Sequence, residues 1–228
     1  MSLWRSGALI LISTAIPLSL SGCKVSMSDG PTIEGTGSAE TDTVRIAKMG
    51  GGIDVKDAPH GADLSTMGGN IHVGDAASFV KVKTMGGMID IDHAKGPVDA
   101  TTMGGGVTIG SADGPIKAST MGGDITARMV TTSANRRDVE LTSLGGTITL
   151  TVPKDFPMDV RIILAHTKNA PRSYEIVDHI GLEQHETPDW DDSFGSPRKY
   201  IRAQGHVGNG SNHVVIKTTN GDVILRQE

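Results

Sequence analysis

Five methionines stand 18 residues apart, at Met49, Met67, Met85, Met103 and Met121. Thioether sulfur is a soft, polarisable ligand, so a column of them could hold a soft ion such as Cu(I). The same column could instead fill an irregular corner, the ordinary use of an unbranched side chain, or form an apolar stripe facing a partner. A second set, Asp54, His72 and Asp90, recurs at the same interval and has the ligand types of a divalent metal site. On a ladder of about 4.8 Å steps, Asp54 and Asp90 would stand about 10 Å apart, near the separation used by inverting glycosidases. The ordinary reading of that column is a solvated strand face, where polar residues alternate anyway. The third set is Asp178, His179, Glu183, His185, Glu186, Asp189, Asp191 and Asp192 around Trp190. It could hold a hard cation, but has neither EF-hand nor zinc spacing, and a solvated cap loop is the ordinary reading.

The elements that must position these residues are written in the repeat itself. Thr66-Met67-Gly68-Gly69 recurs as Thr84-Met85-Gly86-Gly87, Thr102-Met103-Gly104-Gly105 and Thr120-Met121-Gly122-Gly123, with Lys48-Met49-Gly50-Gly51 before them. A fixed period of this length signals stacked structural units. After each Gly-Gly comes an apolar–polar–apolar triplet such as Ile53-Asp54-Val55 or Ile89-Asp90-Ile91, the pattern of a half-buried strand. A second such strand follows, for example Val80-Lys81-Val82 or Ile116-Lys117-Ala118. Strict alternation from Leu64 turns Thr66 inward and Met67 outward, unless the glycines break the parity. Glycine at these corners permits positive φ, and Pro59, Pro97 and Pro115 pre-set the other corner.

Charge separates the two topologies that such units allow. In a parallel coil Asp63, Lys81, Asp99 and Lys117 stack with alternating sign. In an antiparallel meander Asp54 would approach Asp63, and His72 would approach Lys81. Opposite neighbours help by about 0.2–1 kcal/mol a pair and like neighbours hurt, so the parallel coil is expected. The repeat leads in with Val44 and Ile46, swells between Arg128 and Arg137, and resumes at Val139 and Leu141. It restarts at Ser143-Leu144-Gly145-Gly146 and echoes once more at Thr218-Thr219-Asn220-Gly221-Asp222-Val223. Residues 151–217 break the period. Strands are expected around Val160–Leu164, Tyr200–Arg202 and Val214–Ile216, with 165–198 a long polar loop, the whole forming a cap.

The N-terminus predicts export. Arg5 is followed by an apolar run from Ala8 to Leu20, too short to span a bilayer, so residues 1–22 read as a signal peptide. Leu20-Ser21-Gly22-Cys23 resembles the bacterial lipobox, which implies acylation of Cys23, the sole cysteine of the chain. Such an anchor would attach the protein to a membrane. Lys24 is not the aspartate of inner-membrane retention, so by analogy the outer membrane is expected in a host with two membranes. Residues 23–42 are polar and read as a flexible tether, and 43–228 as the folded domain, with regular coils over 43–150 and irregular coils and cap over 151–228. The net charge of −5 and the absence of a basic cluster argue against nucleic acid. No serine–histidine–acid motif, phosphate loop or dinucleotide fingerprint is present, so no cofactor and no enzymatic activity are expected.

Three features together carry a resemblance: the strands Thr66–Val73 and Thr84–Ile91, the segment Thr151-Val152-Pro153, and the terminal run Thr219-Asn220-Gly221-Asp222-Val223-Ile224-Leu225. Over residues 43–228 the chain resembles the bacterial adhesin-like β-helix domain family, whose usual turn is nearer Ser-Asn-Gly-Asp than Met-Gly-Gly. The resemblance implies a right-handed parallel β-helix on the cell envelope, frequently on a lipoprotein, and brings no catalytic residues. The expectation is therefore an all-β solenoid of two-strand coils, non-enzymatic, that meets an envelope or surface partner. A periplasmic metal-binding module and a polysaccharide-active enzyme are the alternatives.

Overall fold

The computed structural model describes residues 25–26, 43–130, 137–193 and 195–228. The stretch read as a signal peptide, the expected acylation site Cys23 and most of the stretch read as a tether lie outside the described residues. In chain order the strands begin with β1 (Val25–Ser26), β2 (Val44–Lys48), β3 (Ile53–Ala58), β4 (Ala62–Thr66), β5 (Ile71–Ala76) and β6 (Val80–Thr84). Next come β7 (Ile89–Ala94), β8 (Val98–Thr101), β9 (Val107–Ala112), β10 (Ile116–Thr120), β11 (Ile125–Met129), β12 (Val139–Ser143) and β13 (Ile148–Val152). The last are β14 (Met158–Thr167), β15 (Ile176–Asp178), β16 (Glu183–Glu186), β17 (Arg198–Val207), β18 (Asn212–Thr219) and β19 (Val223–Gln227).

They form two sheets, in the orders β1-β3-β5-β7-β9-β11-β13-β19-β15 and β16-β17-β14-β18-β12-β10-β8-β6-β4-β2. Each coil gives one strand to each sheet and lies parallel to its counterpart one repeat away, as in Ile71↔Ile89 and Val80↔Val98. The alternating column Asp63↔Lys81↔Asp99↔Lys117 is in register, as charge alternation demands. The fold is an all-β parallel β-helix. Between the sheets lies an aliphatic core built from stacked apolar columns, mostly β-branched: Ile53, Ile71, Ile89, Val107 and Ile125 are all buried, and so are Ala62, Val80, Val98 and Ile116. β-branched side chains suit this arrangement because their stiff rotamers stack without loss of further freedom.

The C-terminal echo occupies an unexpected slot. β18 and β19 do not follow the last coil in sequence. They insert between β12–β13 and β14–β15, pairing parallel to both. The chain therefore skips one coil at Pro153–Pro157 and fills the gap on its return. The splice is tied at both ends: Lys154 N–H donates to the Glu228 carbonyl and Glu228 N–H to that of Val152. Buried Asn212 donates from its side chain to the Pro157 carbonyl at 2.6 Å and accepts from Arg137 N–H at 2.6 Å.

The cap is more regular than its composition suggests. The stretch 165–198, expected as a long loop, contains the end of β14 and all of β15 and β16. β14 pairs antiparallel with β17 over its full length, and β17 with β16, so the column ends in an antiparallel hairpin. Its exposed outer strand, β16, carries charged and polar side chains that discourage further strand pairing. At the opposite end Val25–Ser26, within the stretch read as a tether, pairs antiparallel with Asp54–Val55.

Candidate functional site

Each Thr-Met-Gly-Gly corner divides into two residues that the fold uses and two that it leaves free. The threonines turn inward and are buried. Thr84 Oγ1 donates to the Gly69 carbonyl of the preceding coil at 2.9 Å, Thr102 to Gly87 at 2.8 Å and Thr120 to Gly105 at 2.7 Å. The same hydroxyls accept the N–H of Gly87, Gly105 and Gly123 in their own coils. Ser143 and Thr218 continue the chain of bonds to Gly123 and Gly146. A buried hydroxyl thereby meets both its needs inside the corner, which removes the penalty for burying it.

The second glycine is there for space rather than for φ. A Cβ on Gly69, Gly87, Gly105, Gly123 or Gly146 would clash with the carbonyl of the second glycine one coil back. Of these corner glycines only Gly51 has positive φ, at 80°. The positive φ that glycine permits is thus used at Gly51 alone among them, and the other second glycines serve the close approach of stacked main chains.

The methionines face outward. Met49 is 83 % exposed and Met67, Met85, Met103 and Met121 are 44–50 % exposed, with Leu144 at 53 % continuing the row. Corner filling, the ordinary reading, is overturned for all five. Alternation in fact holds through the corner, because the inward hydroxyl pins Thr and its successor must point away. Rungs one coil apart make a ladder of six apolar side chains, spanning about 24 Å at about 4.8 Å per coil.

Asp54, His72 and Asp90 stack in register on the outer face of the first sheet. The tight group, however, is His72, Asp90 and Asp92, whose candidate ligand atoms lie within 4.8 Å of one another. His72 Nδ1 is 3.6 Å from Asp90 Oδ2, and Nε2 is 3.6 Å from Asp92 Oδ2. Asp54 stands outside the group, and its buried Oδ1 has no hydrogen-bond partner among the described residues. Sequence reading missed Asp92. Its signal was its place two residues past Asp90, the register partner of His72, which puts it on the same outer face of the neighbouring strand. The carboxylates flank opposite ring nitrogens, so an imidazolium would satisfy both without a metal.

The acidic set does not converge. Asp178 serves its own loop: its Oδ1 accepts the N–H groups of Ile180, Gly181 and Leu182, and its Oδ2 accepts the Gln184 side-chain amide. Burial pushes this carboxyl up, but the Leu182, Gln184, Gly181 and Ile180 donors outweigh it and hold the pKa below the usual range. His185 and Glu186 lie on β16, and Asp191 bridges to Arg198. Trp190 meets His166 edge-on at 5.6 Å. A cleft of about 700 Å³ runs along the second sheet over Lys81, Asp99, Lys117 and Glu140, whose alternating charges neutralise one another. No family model, curated protein or solved structure matches the chain.

Proposed function

We propose that this is an exported, lipid-anchored envelope protein, acylated at Cys23, whose β-helix is a non-enzymatic interaction module similar to the adhesin-like β-helix domains. The observation that carries the reading is the exposed ladder of Met49, Met67, Met85, Met103, Met121 and Leu144. Single apolar residues are normal on a surface, but an aligned row of six is the kind of patch that marks interaction. The core needs none of them, since both sheets close over aliphatic columns without methionine from this row. Pairing of Val25–Ser26, which follow Cys23 closely in the sequence, with β3 supports an anchor at the N-terminal end of the column. The outer membrane is the expected destination.

Crosslinking in intact envelopes followed by recovery of the protein tests this reading. A crosslinked product that disappears when Met67, Met85 and Met103 are changed to serine is expected. Recovery of the bare chain alone, with the ladder intact, would sink the proposal. Acyl labelling that survives Cys23→Ser would remove the anchor.

One observation favours a second reading, a divalent metal on His72, Asp90 and Asp92: the close grouping of their ligand atoms. A metal would take one ring nitrogen and leave the other to its carboxylate, an outer contact that orients the imidazole. Zinc titration of the protein and of His72→Ala decides it, and identical isotherms would eliminate the site.

A further inference from the structure

We infer that the ladder's partner is a second copy of this chain, packed parallel and in the same register about a two-fold axis along the solenoid. The inference rests on reading the ladder as an interaction surface, and it names what that surface meets.

The first glycine of each corner is the starting point. A Cβ on Gly50 or Gly68 would meet nothing within 4 Å. On Gly86, Gly104, Gly122 and Gly145 the nearest atoms would be 3.9, 3.6, 3.7 and 3.5 Å away, ordinary contact distances. None of these six has positive φ. Alanine would fit at every one and would lower the entropy lost on folding. Glycine nevertheless stands there in six coils, always beside the exposed side chain of the ladder. Bare main chain that the fold does not require is what another surface needs in order to come close.

The corner thus carries a row of knobs, the methionines, beside a row of holes, the glycines. Both repeat at one coil, about 4.8 Å. A partner that fills every hole must repeat at the same step, and a second solenoid of this sequence does. Symmetry then chooses the arrangement. Rotation about an axis parallel to the ladder exchanges the two rows, so each methionine faces the glycine of the same coil in the other copy. Rotation about an axis across the ladder would lay methionine on methionine and leave the holes empty. Only the parallel dimer interdigitates, and its interface is self-complementary, as two-fold contacts must be.

Charge agrees. At the single positions two before and three after each rung only Lys83 and Asp124 are charged, and Lys48, directly before Met49, donates to the Gly52 carbonyl of its own corner. In the parallel arrangement Lys83 and Asp124 face Met88 and Ser119 of the second copy, so no like charges meet. The ladder stops where the cap begins: in the last coil Asn220 takes the glycine's place, and its side chain accepts the Thr167 N–H. Parallel copies also keep both N-terminal ends on one side, as two anchors in one membrane require.

Single-cysteine variants of the full-length acylated protein test the inference, because acylation of Cys23 leaves any introduced cysteine as the one free thiol. In native membranes Met49→Cys and Leu144→Cys should each give a dimer of this chain with a short bismaleimide. Copies carrying Met49→Cys should not crosslink to co-expressed copies carrying Leu144→Cys. In detergent, Gly86→Ala with Gly104→Ala should weaken dimerisation roughly tenfold or more, while the melting temperature holds or rises. A Met49–Leu144 crosslink, a dimer dispersed by a Cu(I) chelator, or dimerisation indifferent to the alanines overturns it. A crosslink to a different envelope protein also overturns it but leaves the interaction module standing, whereas a monomer that crosslinks to nothing removes both.

Discussion

The coils over 44–152 and the cap over 158–211 both close a β-sheet core, but they satisfy it by opposite means. In the coils every corner is a copy of its neighbour, and one buried hydroxyl after another donates to the glycine carbonyl below, from Thr66 to Ser143. In the cap each contact is individual. Asp178 gathers three N–H groups, Arg172 makes a two-point ion pair with Asp222 and lies over the Tyr174 ring, and Lys199 sits over Trp190. A repeated contact couples each coil to the next, so damage at one rung is shared along the stack. An individual contact fails alone. The contrast also explains where spare surface lies: repetition leaves the same two positions unused in every coil, and they add up to a ladder.

The sharpest break in this comparison is a methyl group. Gly105→Ala directs a Cβ into the Gly87 carbonyl, and the coils have to separate to admit it. A loss of more than about 4 kcal/mol is expected, seen as a collapse of the thermal transition. Thr102→Val comes next. It keeps the shape but leaves the Gly87 carbonyl and the Gly105 N–H without their hydroxyl, at a cost of about 1–3 kcal/mol by denaturant titration. Asp178→Ala should cost about 1–2 kcal/mol and loosen only the cap, read as faster amide exchange at 180–182 with the coils unchanged. Acid should imitate that variant. The Asp178 pKa is depressed in the folded chain, so its stabilisation is full above the unfolded value of about 3.9 and is lost as pH falls through the folded value. A cap whose melting does not soften below pH 4, relative to the Asp178→Ala chain, would contradict this. The smallest effect is the mirror of the first: Gly104→Ala, one residue away from Gly105, should stabilise the monomer by about 0.4–1 kcal/mol. If Gly104→Ala and Gly105→Ala behave alike, the division of the corner into used and unused residues is wrong.

Much of this was legible in advance. The column positions, the parallel register and the inward turn of Thr66 follow from period-2 alternation and from the charges of Asp63, Lys81, Asp99 and Lys117. The methionine column was visible as a column, though not as a surface. Its exposure depends on how the corner bends, and two adjacent glycines leave the chain free to bend either way. Asp92 went unseen because the 18-residue columns group residues directly across the ladder, while its approach to His72 runs diagonally to the neighbouring strand.

The sequence by itself determined the repeat, the two strands of each coil and the aliphatic core, because side-chain periodicity and stacking register are local properties written into every unit. Tertiary structure alone decided two things. It seated the C-terminal coil between β13 and β15, since a free strand edge accepts any segment with matching alternation and chain order does not constrain which arrives. It also assigned the second glycine to the fold and left Met and the first glycine to the outside, since only the stacking of one main chain on another shows where a Cβ has room.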